Sequence, residues 1–297
     1  MTLTYLLWAG LLALAALAGL GAAWWGRGRF VRGRRALIAV GVFLAVGAAG
    51  GYLAHGPVAA YVAKSRLEAA TARANDIFRT DGLLRALAQA EPERAGALHA
   101  RLVLALASAT EAEAAPVEQR LRGEAMHEAL SAAFSRLPNA SDEAAARLAQ
   151  ALLAALGALQ GADSLLCLGL LHPASAMDAA LTENALARLE GSVRKDLESA
   201  LALTLASSVM QPHAAPLPAK ADAALADMFV ENLPEFQKSY GNPKQVGQLF
   251  SALAEPEQAR SIAPETLCAF AQDLLRALLR MPPAERGPGL RRLLGAG

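Results

Sequence analysis

The chain has 297 residues, of which 54% are hydrophobic and only 5% aromatic, and its formal net charge is +1 at pH 7. The first 56 residues contain five of the 28 basic residues and none of the 27 acidic ones, so the remainder carries a net charge of −4. A mildly acidic remainder gives no electrostatic reason to bind nucleic acid, and we exclude that class of partner.

Two apolar stretches, residues 2–25 and 36–54, fill most of the first 56 residues. Both are long enough to cross a bilayer, which takes about 20 mostly apolar residues in a helix. Each must be helical, because lipid offers no hydrogen-bond partner to a free backbone N–H or C=O group. We therefore predict a two-span transmembrane hairpin over residues 1–56, with the lipid bilayer as its first partner.

The loop between the spans, residues 26–35, predicts the orientation of the hairpin. Its basic residues, which we take as topology determinants, are Arg27, Arg29, Arg32, Arg34 and Arg35. Short loops rich in Arg and Lys stay on the cytoplasmic side. The Ala-, Arg- and Leu-rich composition is typical of a bacterium, so we predict a multi-pass protein of the bacterial inner membrane. The region after residue 56 is then periplasmic.

The region after the spans reads as all-α. Its apolar residues are mostly Ala and Leu, which are strong helix formers, and runs rich in Val, Ile, Thr and Tyr are absent. We predict a stalk helix over residues 57–80 and a multi-helix domain over 81–285. Three prolines within 211–218 indicate a subdomain break, and residues 286–297 form a flexible basic tail.

Proline and capping residues divide this domain into helices. We predict a connection over 111–116, and helices over 117–137, 219–233, 243–254 and 264–280, with Ser141 or Asp142 capping a further helix.

Two similar segments, residues 90–95 and 254–259, suggest an alternative architecture. Successive proline breaks lie about 40 residues apart, a spacing typical of stacked helical pairs, so a helical-repeat arrangement stands beside an irregular bundle. No known repeat signature is met.

The two cysteines, Cys167 and Cys268, both lie in apolar helical stretches. Buried free thiols are the commoner state of such residues, and we favour that interpretation. A disulfide is the alternative in an exported domain, because oxidising compartments permit it.

No motif for catalysis, metal binding or nucleotide binding is complete. His127-Glu128 lies on a predicted helix, but Ser131 occupies the position where a zinc-protease helix carries its second His. A nucleophile-elbow Gly-x-Ser-x-Gly is also absent. We expect no metal and no cofactor.

Two groups of residues could contact a partner. The densest aromatic group comprises Phe229, Phe236, Tyr240 and Phe250, for which core packing is the simplest explanation and a partner groove the alternative. The C-terminal end is basic through Arg276, Arg280, Arg286, Arg291 and Arg292. We interpret these arginines as a solvated tail, with acidic lipid headgroups or an acidic partner as the alternative.

The sequence therefore predicts a membrane-anchored helical binding or scaffold protein of a bacterial envelope assembly. Its partner would be another protein or a second copy of the chain. One alternative is a membrane-bound enzyme whose helical active site acts on lipid or cell-wall substrate. A third hypothesis, a cytoplasmic regulatory domain, requires the Arg-rich loop to face outward.

Overall fold

The computed structural model describes residues 59–160, 163–171, 179–210 and 219–294. The described residues fall into two units, with the boundary between Thr71 and Ala72, and the second unit is called the 72–297 unit below. Both predicted spans and the Arg-rich loop lie outside the described residues. Within the four described stretches, no helix combines the length and apolar content that crossing a bilayer requires.

All regular elements in the described residues are helical, as predicted for an all-α protein. Helix α1 covers residues 59–80. The next six are α2 (Gly82–Ala90), α3 (Pro92–Ser108), α4 (Glu111–Arg136), α5 (Asp142–Gln160), α6 (Leu165–Leu171) and α7 (Ala179–Arg188). They are followed by α8 (Gly191–Met210), α9 (Ala219–Tyr240), α10 (Pro243–Ala254), α11 (Pro256–Ala259), α12 (Pro264–Arg280) and α13 (Pro283–Leu294). A short 3-10 turn, Leu137–Asn139, precedes α5.

Side-chain caps explain where several helices begin. The Ser141 hydroxyl accepts from the Ala144 backbone N–H at 3.2 Å, so Ser141 caps α5 as expected. At the start of α10, Asn242 and Gln245 bond each other's backbone N–H groups, which is a capping box. The predicted bounds of α10 and α12 agree with the structure.

The predicted connection over residues 111–116 is wrong, because α4 already starts at Glu111. The Thr110 backbone N–H and hydroxyl both donate to the Glu113 carboxylate, at 2.9 and 2.8 Å. These two hydrogen bonds, the backbone one first, lower the pKa of Glu113. The cap therefore fixes the first turn before Pro116, and the helix continues through this proline although it removes one backbone hydrogen bond and crowds the carbonyl four residues earlier.

Helix α5 lies at the centre of the 72–297 unit. It packs against α6, α8, α12 and α13, and its buried face is built from Ala and Leu. Small side chains such as Ala144 and Ala155, both fully buried, let neighbouring helices approach closely. Fully buried leucines such as Leu148 and Leu156 fill the remaining space.

The contacts do not follow the order of a helical-repeat stack. In such a stack each repeat contacts only its neighbours in sequence. Here α2 packs on α8, and α5 packs on both α8 and α13, which are distant in the chain. The unit is therefore an irregular helical bundle, and the repeat alternative is wrong for the described helices.

The favoured interpretation of the cysteines is also wrong. Cys167 of α6 and Cys268 of α12 form a disulfide that joins residues separated by 101 positions. Both cysteines are fully buried. Sequence spacing could not show this pairing, because it depends on α6 and α12 packing together beside α5.

The C-terminal end differs from the predicted flexible tail. Residues up to Leu294 belong to α13, and Arg291 is buried, with its Nε 3.0 Å from the Asp142 carboxylate. Its Nη1 donates to the Pro138 carbonyl at 3.2 Å. These contacts fix the last helix on the start of α5.

Other parts of the domain plan remain predictions. Residues 59–80 are helical, but nothing tests their role as a stalk. The predicted break at 211–218 lies outside the described residues.

Candidate functional site

The five loop arginines that we predicted to set topology lie outside the described residues. The other predicted site, the aromatic group, is described in full, and the structure brings its four members together. Phe229 and Phe236 both contact the Phe250 ring edge to face, with centroid distances of 4.8 and 6.3 Å.

A fifth ring, Phe270 of α12, connects this group and was not expected. It is fully buried, and its centroid lies 5.5 Å from Phe236, 5.2 Å from Tyr240 and 4.9 Å from Phe250. Edge-to-face pairs of this kind stabilise a core beyond the area that they bury. The packing explanation thus accounts for the group, and its role in partner binding stays a prediction.

Tyr240 is the only one of these five aromatic residues that carries a polar atom. Its hydroxyl connects the aromatic cluster to a hydrogen-bond network on α12. Its hydroxyl donates to Asp273 Oδ2 at 2.6 Å. Burial, followed by the hydrogen bond and the charge of Asp273, raises the pKa of Tyr240 well above its ordinary value. The hydroxyl therefore keeps its proton at every physiological pH.

The network continues along one face of α12. Arg276 donates from Nη1 to Asp273 Oδ1 at 2.6 Å and from Nη2 to Gln272 Oε1 at 3.1 Å. Gln272, which is buried, donates to Gln160 Oε1 at 2.6 Å. Its Nε2 also lies 3.7 Å from the Cys268 sulfur. Cys268, Gln272, Arg276 and Arg280 are four residues apart, so the face extends from the disulfide to the helix end.

Beside this network, α9 and α12 enclose a cavity of about 270 Å³, which we call the α9–α12 groove. Its α9 side is lined by Asn232, Glu235, Phe236, Lys238 and Ser239. Its α12 side is lined by Asp273, Arg276, Ala277 and Arg280.

The groove is suited to recognition by charge. Both carboxylate oxygens of Asp273 already accept hydrogen bonds, one from Arg276 and one from Tyr240, so this group is an anchor for its neighbours. No histidine lines the groove. The charged groups that could bind a ligand are the cations Lys238 and Arg280, the N–H groups of Arg276 that make no hydrogen bond to Asp273 or Gln272, and the Glu235 carboxylate.

The five C-terminal arginines separate into two groups. Arg286 donates to the Met281 carbonyl, Arg291 pairs with Asp142, and Arg292 pairs with Asp222 at 3.1 Å, so these three hold the fold. Arg276 and Arg280 line the groove instead. No pattern in the sequence indicated the groove, because its two walls come from helices that are separated in the chain.

Of the histidines in the described residues, neither His99 nor His127 lines the groove. His99 Nε2 lies 2.8 Å from Asn75 Oδ1, and its ring packs edge to face on Phe78 at 5.2 Å. In the part of the chain that the structure describes, no three His, Cys, Asp or Glu side chains are placed to hold a metal ion.

Comparison with protein-family models, with curated proteins and with solved structures gives no match for this chain.

Proposed function

We propose that the chain is a membrane-anchored binding protein of a bacterial envelope assembly. The two N-terminal spans would hold it in the inner membrane, and the helical unit would be displayed on the periplasmic side. Its work is to bind another protein or a second copy of itself, and the unit offers a large helical surface for that purpose.

The observation that carries this proposal is the Cys167–Cys268 disulfide. Disulfides form and persist in oxidising compartments such as the bacterial periplasm, and are rare in the reducing cytoplasm. The Arg-rich loop independently favours export of the residues that follow the second span. Two unrelated features, a charge bias before the domain and a disulfide within it, therefore support the same side of the membrane.

The side of the membrane can be tested with reporter fusions. We expect alkaline phosphatase to be active when fused after Gly56 or Gly297, because that enzyme folds only when exported, and a fluorescent protein at the same sites to stay dark. Protease added to spheroplasts should also digest the helical unit. A fluorescent and phosphatase-negative fusion at Gly297 would place the unit in the cytoplasm and contradict the proposal.

Binding is tested by capturing the tagged full-length protein in mild detergent. We expect a defined partner, or a second copy of the chain, to co-purify at a constant ratio. Recovery of a monomer alone, under conditions that keep other envelope assemblies intact, would count against a scaffold role.

A further inference from the structure

We propose that the α9–α12 groove is the binding site for an acidic segment of the partner protein, a stretch of polypeptide that presents carboxylate side chains. This inference rests on the proposed binding function and names the chemistry of the partner.

The groove carries more positive than negative charge. Asp273 is engaged by Arg276 and Tyr240, which leaves Lys238 and Arg280 facing a single carboxylate, Glu235. In the described stretches of the chain, neither Lys238 nor Arg280 has a carboxylate within ion-pair distance. The uncompensated charge of the groove is thus positive, and an anionic group would be attracted to it.

The Arg276 side chain is already ordered before any ligand binds. Its guanidinium is held by Asp273 on one side and by Gln272 on the other, and Gln272 is itself buried and bonded to Gln160. A side chain that is already ordered loses little entropy when a ligand binds. Guanidinium groups match the geometry of carboxylates, so the remaining N–H groups of Arg276 are suited to an acidic side chain.

The size of the groove limits what it can hold. A cavity of about 270 Å³ lies just below the range of about 300–1,000 Å³ that is usual for whole drug-sized ligands. It is large enough for an acidic side chain, whose methylene groups would pack on Phe236 and Ala277. Both of these apolar residues line the groove.

The presence of Glu235 favours an acidic protein segment over an anionic membrane surface as the ligand of the groove. A carboxylate on the same wall as Lys238 would repel a uniformly negative lipid surface. A polypeptide can instead place a carboxylate at Arg280 and a neutral or basic residue at Glu235. Groups of both signs in one groove therefore favour a protein partner and set its register.

The test measures binding of a fluorescent peptide of alternating Glu and Ala to the purified full-length protein in detergent, by anisotropy at low salt. We expect saturable binding that weakens as salt is added, and no binding of the matched Gln and Ala peptide. Arg280→Gln should weaken binding about tenfold, because it removes one charge-assisted contact.

Arg188→Gln is the matched control. Arg188 is an exposed arginine in the last turn of α7, as Arg280 is in the last turn of α12. The control variant should bind the peptide like the wild type, and circular dichroism should show that both variants are folded.

Two results would overturn the proposal. One is absence of peptide binding, or an equal loss of peptide affinity in Arg280→Gln and Arg188→Gln. The other is binding of a soluble short-chain phosphatidylglycerol in place of the peptide, in a manner that depends on Arg280, which would assign the groove to lipid phosphate. The peptide is added to purified protein, so either failure is distinct from a failure of the topology test.

Discussion

Two parts of the 72–297 unit are built in different ways. Around α5, the core consists mainly of Ala and Leu side chains, a buried disulfide and closely packed helices. Between α9, α10 and α12, five aromatic rings and a hydrogen-bond network replace the small residues, and a polar groove opens beside them. The first part holds the fold, and the second contains the groove that we propose as a binding site.

The disulfide is expected to have the largest effect on the α5 part. It closes a loop of 101 residues, and the loss of loop-closure entropy in the unfolded chain for a crosslink of that length corresponds to about 4.7 kcal/mol. We expect the double variant Cys167→Ala, Cys268→Ala to lose about that much unfolding free energy in a denaturant titration. A loss below about 1 kcal/mol would show that the crosslink adds little to this core.

The close approach of α6 and α7 gives the next largest effect. A Cβ added at Gly169 would lie 2.6 Å from the backbone of Leu181 and Thr182, so one helix must move. We expect Gly169→Ala to cost about 2 kcal/mol, since overpacking outweighs the higher helix propensity of Ala. Thermal unfolding measures this cost.

Gly247 of α10 provides the control for that substitution. It is exposed, and a Cβ there would meet nothing within 4 Å. Gly247→Ala should therefore stabilise the protein by about 0.5 kcal/mol. If Gly169→Ala and Gly247→Ala changed the free energy of unfolding equally, the helix contact at Gly169 would not be more tightly packed than the exposed surface at Gly247.

Tyr240 tests the aromatic and polar part. Tyr240→Phe removes the hydrogen bond to Asp273, and we expect a loss of about 1 kcal/mol near neutral pH. The pKa of Tyr240 is higher in the folded protein than in the unfolded chain. Its contribution is therefore complete below the ordinary tyrosine pKa of about 10 and is lost as pH rises toward the folded value.

The variant should accordingly lose part of the alkaline decline in stability that the wild type shows. Spectrophotometric titration gives an independent readout: the wild type should show a late ionisation step, above the ordinary tyrosine pKa, that is missing in Tyr240→Phe. If the ionisation step lost in Tyr240→Phe lies near pH 10, the network does not hold Tyr240 as described.

The smallest effect on stability is expected at Gln272, where the two parts meet. Replacement by Leu removes the bonds to Gln160 and Arg276, but both of those partners are exposed and can bond water. We expect Gln272→Leu to change stability by less than about 1 kcal/mol. Peptide binding in the groove should weaken more clearly, because Arg276 loses one of its two supports.

Local features of the fold could be predicted from sequence, and long-range ones could not. Proline at the first position and a capping residue set the bounds of α10, and Ser141 marked α5 correctly. Pro116 was misleading, because a break signal outweighed the Thr110–Glu113 cap that lies before it.

Arg291 and the disulfide show why the rest could not be predicted. A basic residue near a chain end resembles a solvated one until Asp142 and Pro138 are seen to surround it. Cys167 and Cys268 were individually recognisable as buried, but their pairing is a property of helix packing. The groove, similarly, needs both α9 and α12 in place, although Phe236, one of its lining residues, was already noted in the sequence as a member of the aromatic group.

The proposed position of the helical unit, on the oxidising side of the membrane, can be checked through the thiol state of the protein in living cells. Cells would be quenched in acid, and the denatured proteins treated with a thiol-reactive polyethylene glycol, with a Cys167→Ser variant as the standard for one free thiol. We predict that wild-type Cys167 and Cys268 remain unlabelled until a reductant is added. Labelling of both cysteines without reductant would contradict the account.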